Sequence, residues 1–253
     1  QFGYGKAIYI THPNGFTSVY GHLSKFNDEI ETYVKSKQYQ KENYETGNLF
    51  FKENKFTFKK GEIIAFSGDT GGSGGPHLHF EIRNTKTENI INPLLFGLKV
   101  QDSRNPTVQS LKVYALNSEA RINQQKKNFQ IPIKAIANGN YIADRITASG
   151  IIGFGVSVFD RFNGVPNKNG IYSLEMLVNG KRFYYHDVET FSFSESKFIN
   201  LHIDYEHYKK YKRRYQKTHK VTANKLSTYE KLINNGKINI KKGFNYNIQI
   251  IAK

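Results

Sequence analysis

GDTGGSGGPHLHFE, residues 68–81, is the stretch that decides how the first part of the chain is interpreted. At its end apolar residues alternate with His79 and Glu81, which predicts a β-strand with one buried face. Side chains at i and i+2 of a strand lie on the same face, so His77 and His79 can meet one ligand. Imidazole is the commonest metal ligand, although two histidines on a strand can also be solvated surface residues.

The glycine-rich run before the histidines favours a ligand site. Glycine adopts positive φ at no steric cost and lets the backbone approach a ligand closely, and a following proline fixes the entry to the strand. A phosphate-binding loop is disfavoured, because no Gly-Lys-Ser/Thr follows and the run leads into a strand instead of a helix. The run consists of Gly71, Gly72, Gly74 and Gly75, followed by Pro76.

Residues 6–23, KAIYITHPNGFTSVYGHL, predict a β-hairpin. Two strand-forming runs flank Asn14 and Gly15, and Asn-Gly between such runs is the strongest short-range hairpin signal. His22 is predicted at the end of the second strand, a usual location for site residues. His12 stands beside the turn, and we expect it to be structural.

Three blocks in this order resemble the lysostaphin-like (LytM-type) zinc metallopeptidases, which cut peptide cross-links of bacterial peptidoglycan. They are GYGKAIYITHPNG (residues 3–15), VYGHLSKF (19–26) and KKGEIIAFSGDTGGSGGPHLHFEIRN (59–84). The resemblance covers about residues 1–95. It is specific because it rests on three blocks and not on a lone HLH.

The resemblance implies a role for three histidines. His79 corresponds to a zinc ligand, and His22 and His77 flank the metal and assist the chemistry. Zinc lowers the pKa of its bound water and polarises the scissile carbonyl. Nearby imidazoles can orient the water, take its proton and stabilise the oxyanion. The residues expected to contact the substrate are Tyr20, Gly71, Gly72, Ser73 and Gly74.

One feature departs from the family pattern. The family's other two zinc ligands are an upstream His and an Asp four residues after it, and no HxxxD occurs in residues 1–84. We expect the chain to be a fragment that lacks the first strands of the domain, because loss of the metal would remove the need for His22, His77 and His79. The alternative is a degenerate relative without metal.

The predicted fold class is all-β, mainly antiparallel, in two domains. Residues 1–100 form the LytM-like β-groove peptidase domain, N-terminally incomplete. A helical insertion is predicted at 28–60, because apolar residues recur at near-helical spacing in residues 29–41. A turn-rich joint near residues 102–106 places the boundary.

Residues 101–253 predict an immunoglobulin-like β-sandwich, since short strand-like runs alternate with turn signals. One run is INLHID, residues 199–204, and a second Asn-Gly hairpin lies at residues 179–180. Such a trailing β-rich domain is similar to those of envelope-located family members from Bacteroidota-like bacteria. We expect this domain to be truncated at its C-terminus.

The composition points to anionic surroundings, with a net charge of +16, a pI near 9.7 and no cysteine. An AT-rich genome can produce the same richness in lysine and tyrosine. In residues 204–220 cations interleave with tyrosines at helical spacing, which fits the packed face of a helix better than binding to nucleic acid, lipid or wall polymer. His186, His202, His207 and His219 have no ligand spacing.

Two functions therefore stand as hypotheses. The first is a zinc endopeptidase of peptidoglycan cross-links in the cell envelope, periplasmic or associated with the outer membrane. The second is a catalytically inactive wall-binding or scaffold protein that keeps the peptidase fold. The expected partners are peptidoglycan and other envelope proteins. Nucleic acid is not expected, and no segment is long and apolar enough to span a membrane.

Overall fold

The computed structural model describes residues 3–253, and the chain divides into two compact units between Glu88 and Asn89. The predicted boundary lay between residues 100 and 101. Strands paired antiparallel dominate both units and helices are short, so the predicted all-β class is confirmed. Among residues 3–253 no helix combines the length and apolar character needed to cross a membrane.

A central strand, β2, organises the first unit. It pairs antiparallel with β1 on one side and with β4 and β3 on the other, and Gly15 at φ 83° makes the predicted β1–β2 turn. Positive φ is the conformation that the Asn-Gly signal anticipates. The elements of this unit are β1 (Lys6–Thr11), β2 (Phe16–Phe26), α1 (Asp28–Lys41), β3 (Ala65–Ser67) and β4 (His79–Asn84).

Helix α1 confirms the helix predicted over residues 29–41. It begins after Asn27, whose side chain accepts a hydrogen bond from the Ile30 backbone N–H, and acidic residues fill its first turn. Ile30 is buried against Leu23 and Phe26 of β2. Burial of such a side chain contributes about 2 kcal/mol, so this contact attaches the insertion to the sheet.

The second unit is built mostly of short strands. Its strands are β5 (Ile90–Ile91), β6 (Thr107–Ala115), β7 (Arg121–Ile122), β8 (Phe129–Ile131), β9 (Ile133–Ala135), β10 (Tyr141–Ala143), β11 (Ala148–Phe159), β12 (Ser173–Val178), β13 (Lys181–Asp187), β14 (Thr190–Phe191), β15 (Gln216–Lys217), β16 (Tyr229–Leu232), β17 (Ile238–Ile240) and β18 (Ile248–Ala252). Its helices are α2 (Ile199–His202) and α3 (Tyr205–Tyr211), with 3-10 turns at Pro93–Phe96, Ala137–Gly139, Phe193–Phe198 and Asn234–Gly236.

Two antiparallel sheets of the second unit share one hydrophobic core. The first has the order β15-β11-β6-β8, and the second has the order β16-β13-β12-β18. Val113 and Phe154 from the first sheet meet Leu174, Met176 and Tyr184 from the second in a single buried cluster. Two sheets around one core form the sandwich arrangement, and the immunoglobulin-like connectivity stays a prediction.

The strand predicted from INLHID was wrong, because residues 199–202 form helix α2. An alternating stretch of only six residues carries too few repeats to distinguish a period of 2 from a period of 3.6. In a strand that buries Ile199, Leu201 and Ile203, His202 would point outward. It is instead 4% exposed, and its ring meets that of His186 edge-on at 4.6 Å.

The tyrosines of residues 204–220 do not share one helical face. Helix α3 ends at Tyr211, where Lys212 takes a left-handed conformation, so Tyr215 lies beyond the helix. Tyr215 is fully buried, whereas Tyr205 and Tyr211 are 41% and 58% exposed. Of these four tyrosines only Tyr215 is fully buried, and Tyr208 is partly buried.

Candidate metal centre

Three histidines of the first unit converge on one point. His22, His77 and His79 each offer a ring nitrogen, and these atoms lie within 4.8 Å of one another. The His22 ring centroid is 4.9 Å from that of His77 and 5.4 Å from that of His79. The structure thus brings together the three histidines that the sequence singled out.

A bulge in β2 aims His22 into this cluster. Lys6 pairs with Leu23 and Ile8 pairs with Tyr20, so β2 carries one more residue than β1 across this interval. His22 itself has φ 57°, a conformation that non-glycine residues rarely adopt, and its N–H donates to the Tyr4 carbonyl. Strand β2 continues to Phe26, so His22 lies at a bulge and not at the predicted strand end.

His77 and His79 enter from the glycine-rich loop and the start of β4. His77 makes an isolated bridge with Gly68, and its N–H donates to the Gly68 carbonyl at 3.0 Å. His79 is the first residue of β4 and pairs with Gly21. Because Gly21 has no side chain, the ring of its strand partner His79 has room to approach the ring of His22.

Each histidine has one ring nitrogen within hydrogen-bond distance of a neighbouring oxygen. His22 Nδ1 lies 2.8 Å from the Thr70 carbonyl, His77 Nδ1 lies 2.8 Å from the Gly75 carbonyl, and His79 Nε2 lies 2.6 Å from the Glu81 carboxylate. Carbonyl and carboxylate oxygens only accept, so these nitrogens carry the proton. In the neutral rings the lone pairs then lie on Nε2 of His22 and His77 and on Nδ1 of His79.

A buried network holds the outer nitrogen of His79. Glu81 accepts hydrogen bonds from His79 and from the Tyr4 hydroxyl, both at 2.6 Å, and from Arg83 Nε at 2.7 Å. Arg83 also donates to the Tyr4 hydroxyl and to Glu88, both at 3.0 Å. Glu81 and Arg83 are only 7% and 6% exposed, so this charge pair is largely desolvated.

The network changes the pKa of its members. Burial alone would raise the pKa of Glu81, but hydrogen bonds from Tyr4, His79 and Arg83 outweigh it and hold this pKa below its usual value. Burial, together with the hydrogen bond to Glu81, raises the pKa of Tyr4 to about 12. Glu81 is therefore an anion and Tyr4 a neutral donor at neutral pH.

Sequence reasoning missed Tyr4, Thr70, Glu81 and Arg83 as site residues. The i, i+2, i+4 spacing of His79, Glu81 and Arg83 puts them on one strand face, so this part was accessible. Tyr4 is separated from Glu81 by 77 residues, and only the folded sheet brings them together. Thr70 contributes its backbone carbonyl, which no residue type reveals.

The glycine loop has structural and open parts. Gly71 has φ 80°, and a Cβ there would overlap the backbone of Gly3 and Gly5, while the N–H of Gly72 donates to the Gly3 carbonyl at 2.8 Å. Gly74 faces open space. The Ser73 hydroxyl donates to the Gly75 carbonyl at 2.8 Å and lies 3.3 Å from His77 Nδ1.

The structure does not bring Tyr20 to the three histidines. Tyr20 pairs with Phe80, and their ring centroids are 5.3 Å apart. Paired residues share a face, and Phe80 lies on the opposite face from its neighbour His79. Tyr20 packs instead on the cluster of Leu23, Phe26 and Ile30.

His12 lies away from the cluster and bonds within its own hairpin. Its Nε2 is 2.8 Å from the Ser18 hydroxyl.

Part of this chain is similar to proteins named as peptidases. Over 81 residues it is 40% identical to the DD-carboxypeptidase/endopeptidase Mpg of Neisseria meningitidis serogroup B (strain MC58), and 37% identical to the protein of that name from Neisseria gonorrhoeae. Over 96 residues it is 36% identical to an uncharacterized metalloprotease of Haemophilus influenzae. No protein-family model and no solved structure matches significantly.

These similarities are partial. The Neisseria matches cover 32% of this chain and 13% of those proteins, and the Haemophilus match covers 38% and 15%. The chain thus matches only a small part of the length of these curated relatives. The similarities support a relationship to peptidases and metalloproteases, and the three-histidine cluster could hold the metal that such a relationship implies.

Proposed function

We propose that this protein is a zinc metallopeptidase that hydrolyses peptide cross-links of bacterial peptidoglycan. The observation that carries the proposal is the convergence of His22, His77 and His79, whose potential ligand atoms lie within 4.8 Å of one another. A structural role alone does not require three imidazoles this close together, each with one nitrogen held by an oxygen atom and a lone pair left on the other.

The donor set fits zinc. Imidazole is a preferred zinc ligand, and a ligating histidine commonly donates its other N–H to a carboxylate or a carbonyl, as all three do here. His79 is the residue that would hold the metal, with Glu81 fixing its ring. The two further ligands that the family resemblance implies, a His and an Asp, are not found as an HxxxD in residues 3–84.

When bound, zinc would act as a Lewis acid and supply a nucleophile at neutral pH. The chain's own residues do the rest. Nε2 of His22 and of His77 can accept a proton from a nucleophile held beside them and return it to a leaving amine. Once protonated, either imidazole also stabilises negative charge on the carbonyl oxygen.

The peptide substrate is inferred from two observations. Two of the relatives are named as a DD-carboxypeptidase/endopeptidase and as an uncharacterized metalloprotease. His77 is exposed, and Gly74 beside it faces open space, so a polymer-bound peptide has access to this side of the cluster. We propose a location in the cell envelope, with peptidoglycan and other envelope proteins as partners.

Two histidine variants test this assignment. His79→Ala should lose both zinc and cleavage, whereas His77→Ala should keep zinc and lose cleavage by about 10²- to 10⁴-fold, the usual contribution of a general acid or base. His12→Ala, which removes a histidine from the same hairpin away from the cluster, should change neither.

The readouts are zinc content by mass spectrometry and release of peptides from purified peptidoglycan. Loss of zinc with His77→Ala would mean that the two histidines exchange roles. Zinc-loaded protein that binds peptidoglycan without cleaving it would refute the enzyme and favour the wall-binding scaffold.

A further inference from the structure

The net positive charge of the chain lies almost entirely in the second unit. Residues 1–88 contain 11 Lys and Arg against 10 Asp and Glu, and residues 89–253 contain 26 against 11, so the formal charges are +1 and +15. Lysine is equally dense in both, with 10 in 88 residues and 19 in 165. The excess positive charge of the second unit comes from its seven arginines, against one in the first unit, and from its lower content of Asp and Glu. Because an AT-rich genome would enrich lysine in both units alike, codon bias does not explain this asymmetry.

The strongest local concentration of positive charge is a loop whose two ends are held together. It consists of residues 205–214, YEHYKKYKRR, and we call it the basic loop. Its ends are joined by the Ile203–Gln216 bridge and by the Asp204 N–H, which donates to the Tyr215 carbonyl at 2.9 Å. The loop contains one acid, Glu206, and five cations: Lys209, Lys210, Lys212, Arg213 and Arg214. Helix α3 forms its first part.

Hydrogen bonds and one ion pair hold the base of the basic loop. The Asp204 carboxylate accepts from Lys112 Nζ at 2.7 Å and from the Tyr114 hydroxyl at 3.0 Å. Tyr215 is fully buried, and its hydroxyl accepts from Ser110 at 2.8 Å. These contacts with Ser110, Lys112 and Tyr114 attach the loop to strand β6.

The five cations of the loop remain available to a partner. All five are exposed, and within residues 3–253 none of them makes an ion pair within 4.0 Å. Lys212 and Arg214 lie over the Tyr208 ring at 5.8 and 4.6 Å, and Lys210 lies 5.1 Å from the Tyr211 ring centroid. The loop therefore combines unpaired positive charge with tyrosines that already contact the cations.

We propose that the basic loop docks on an anionic phospholipid surface. Lysine and arginine bind the phosphate headgroups. The half-exposed Tyr205 and Tyr211 suit the boundary between headgroups and acyl chains, because the tyrosine ring is apolar and its hydroxyl can remain in water. Ile199, in the helix just before the loop, is 48% exposed. An aliphatic side chain is stabilised by contact with acyl chains, but it cannot stack on a nucleic-acid base. Its exposure therefore favours lipid over nucleic acid as the partner. The proposal is independent of the peptidase assignment.

Vesicle binding by the unmodified protein is the first test. Binding to vesicles of phosphatidylglycerol and phosphatidylcholine should be strong at low salt and weaken steeply as salt rises, and vesicles of phosphatidylcholine alone should not bind. Equal binding to both vesicles, or salt-independent binding, would overturn the proposal. Binding to duplex DNA or to a soluble anionic glycan without binding to the anionic vesicles would overturn it as well.

Matched charge variants locate the surface. The loop variant carries Lys209→Gln, Lys210→Gln, Arg213→Gln and Arg214→Gln, and the control carries Lys126→Gln, Lys127→Gln, Lys241→Gln and Lys242→Gln. All eight positions are exposed, and each variant removes four charges from the second unit. The loop variant should bind about 10²- to 10³-fold more weakly, from the usual contribution per cation near an anionic membrane, and the control only a few-fold more weakly. Equal losses would show that net charge, and not the loop, is responsible.

Discussion

Replacement of Glu81 by glutamine tests whether its network positions His79 for a metal. Glu81→Gln keeps the shape of the side chain but replaces the carboxylate, which accepts hydrogen bonds from Tyr4, His79 and Arg83, by a neutral amide. A glutamine has one acceptor oxygen in place of two, so at least one of the three donors loses its partner. Because Arg83 is a cation, we expect the glutamine oxygen to turn toward it, so that the NH2 group faces the His79 N–H and the His79 ring loses its fixed orientation.

The expected losses of zinc affinity and of stability follow from these contacts. Loss of a partner that orients a ligating histidine typically costs 10- to 100-fold in metal affinity, and we expect zinc affinity to fall by about that factor. The variant should also be less stable by about 3 kcal/mol, near the lower end for breaking a buried ion pair, because Arg83 keeps Glu88 at 3.0 Å.

Glu88→Gln is the matched control. Glu88 pairs with the same arginine through Arg83 Nη1, and its side chain is 56% exposed. We expect a loss of about 0 to 1 kcal/mol and unchanged zinc affinity. Zinc affinity is measured by competition with a chromophoric chelator, and stability by hydrogen exchange of the β4 amides. A destabilised Glu81→Gln protein that binds zinc like the wild type would refute the positioning role and leave Glu81 as a counterion of Arg83.

Two further predictions concern folding. Gly71→Ala should destabilise the first unit by about 2 to 4 kcal/mol, because φ is 80° and the new Cβ meets backbone, whereas Gly74→Ala meets open space and should cost under about 1 kcal/mol; urea unfolding distinguishes them. Burial lowers the pKa of His186 to about 3, of His202 to about 4 and of His219 to about 3. The unfolded chain binds these protons from about pH 6.5 downward, so their contribution to stability is full above that pH and is lost as pH falls. Between pH 7 and pH 5 the second unit should lose up to about 2 kcal/mol per histidine, and hydrogen exchange of the β12 and β13 amides that did not change with pH would contradict this.

Local chemistry made several elements predictable. Asn14 and Gly15 specify the β1–β2 turn, and the spacing of apolar residues after Asn27 specifies α1. The i, i+2 spacing of His77 and His79 pointed to one site because strand geometry has a fixed period. In these cases the deciding interactions lie within a few residues of one another.

Other features depend on contacts between distant residues. The φ of His22 results from a bulge that exists only when β2 is paired with β1, and Tyr4 joins the site only through the folded sheet. Residues 199–202 form a helix in which His202 is buried against the rings of His186 and Tyr229, contacts that the short alternating stretch does not reveal. Sequence periodicity carries no information on such contacts.

The proposed zinc peptidase activity is tested most directly with the protein purified from its own cells. A native mass spectrum gives its bound metal, and the same sample is incubated with purified peptidoglycan. We predict bound zinc and release of peptides with newly formed amino and carboxyl termini, and this release should stop when a chelator removes the metal and resume when zinc is returned. Zinc held by the protein together with intact peptidoglycan cross-links would contradict this prediction.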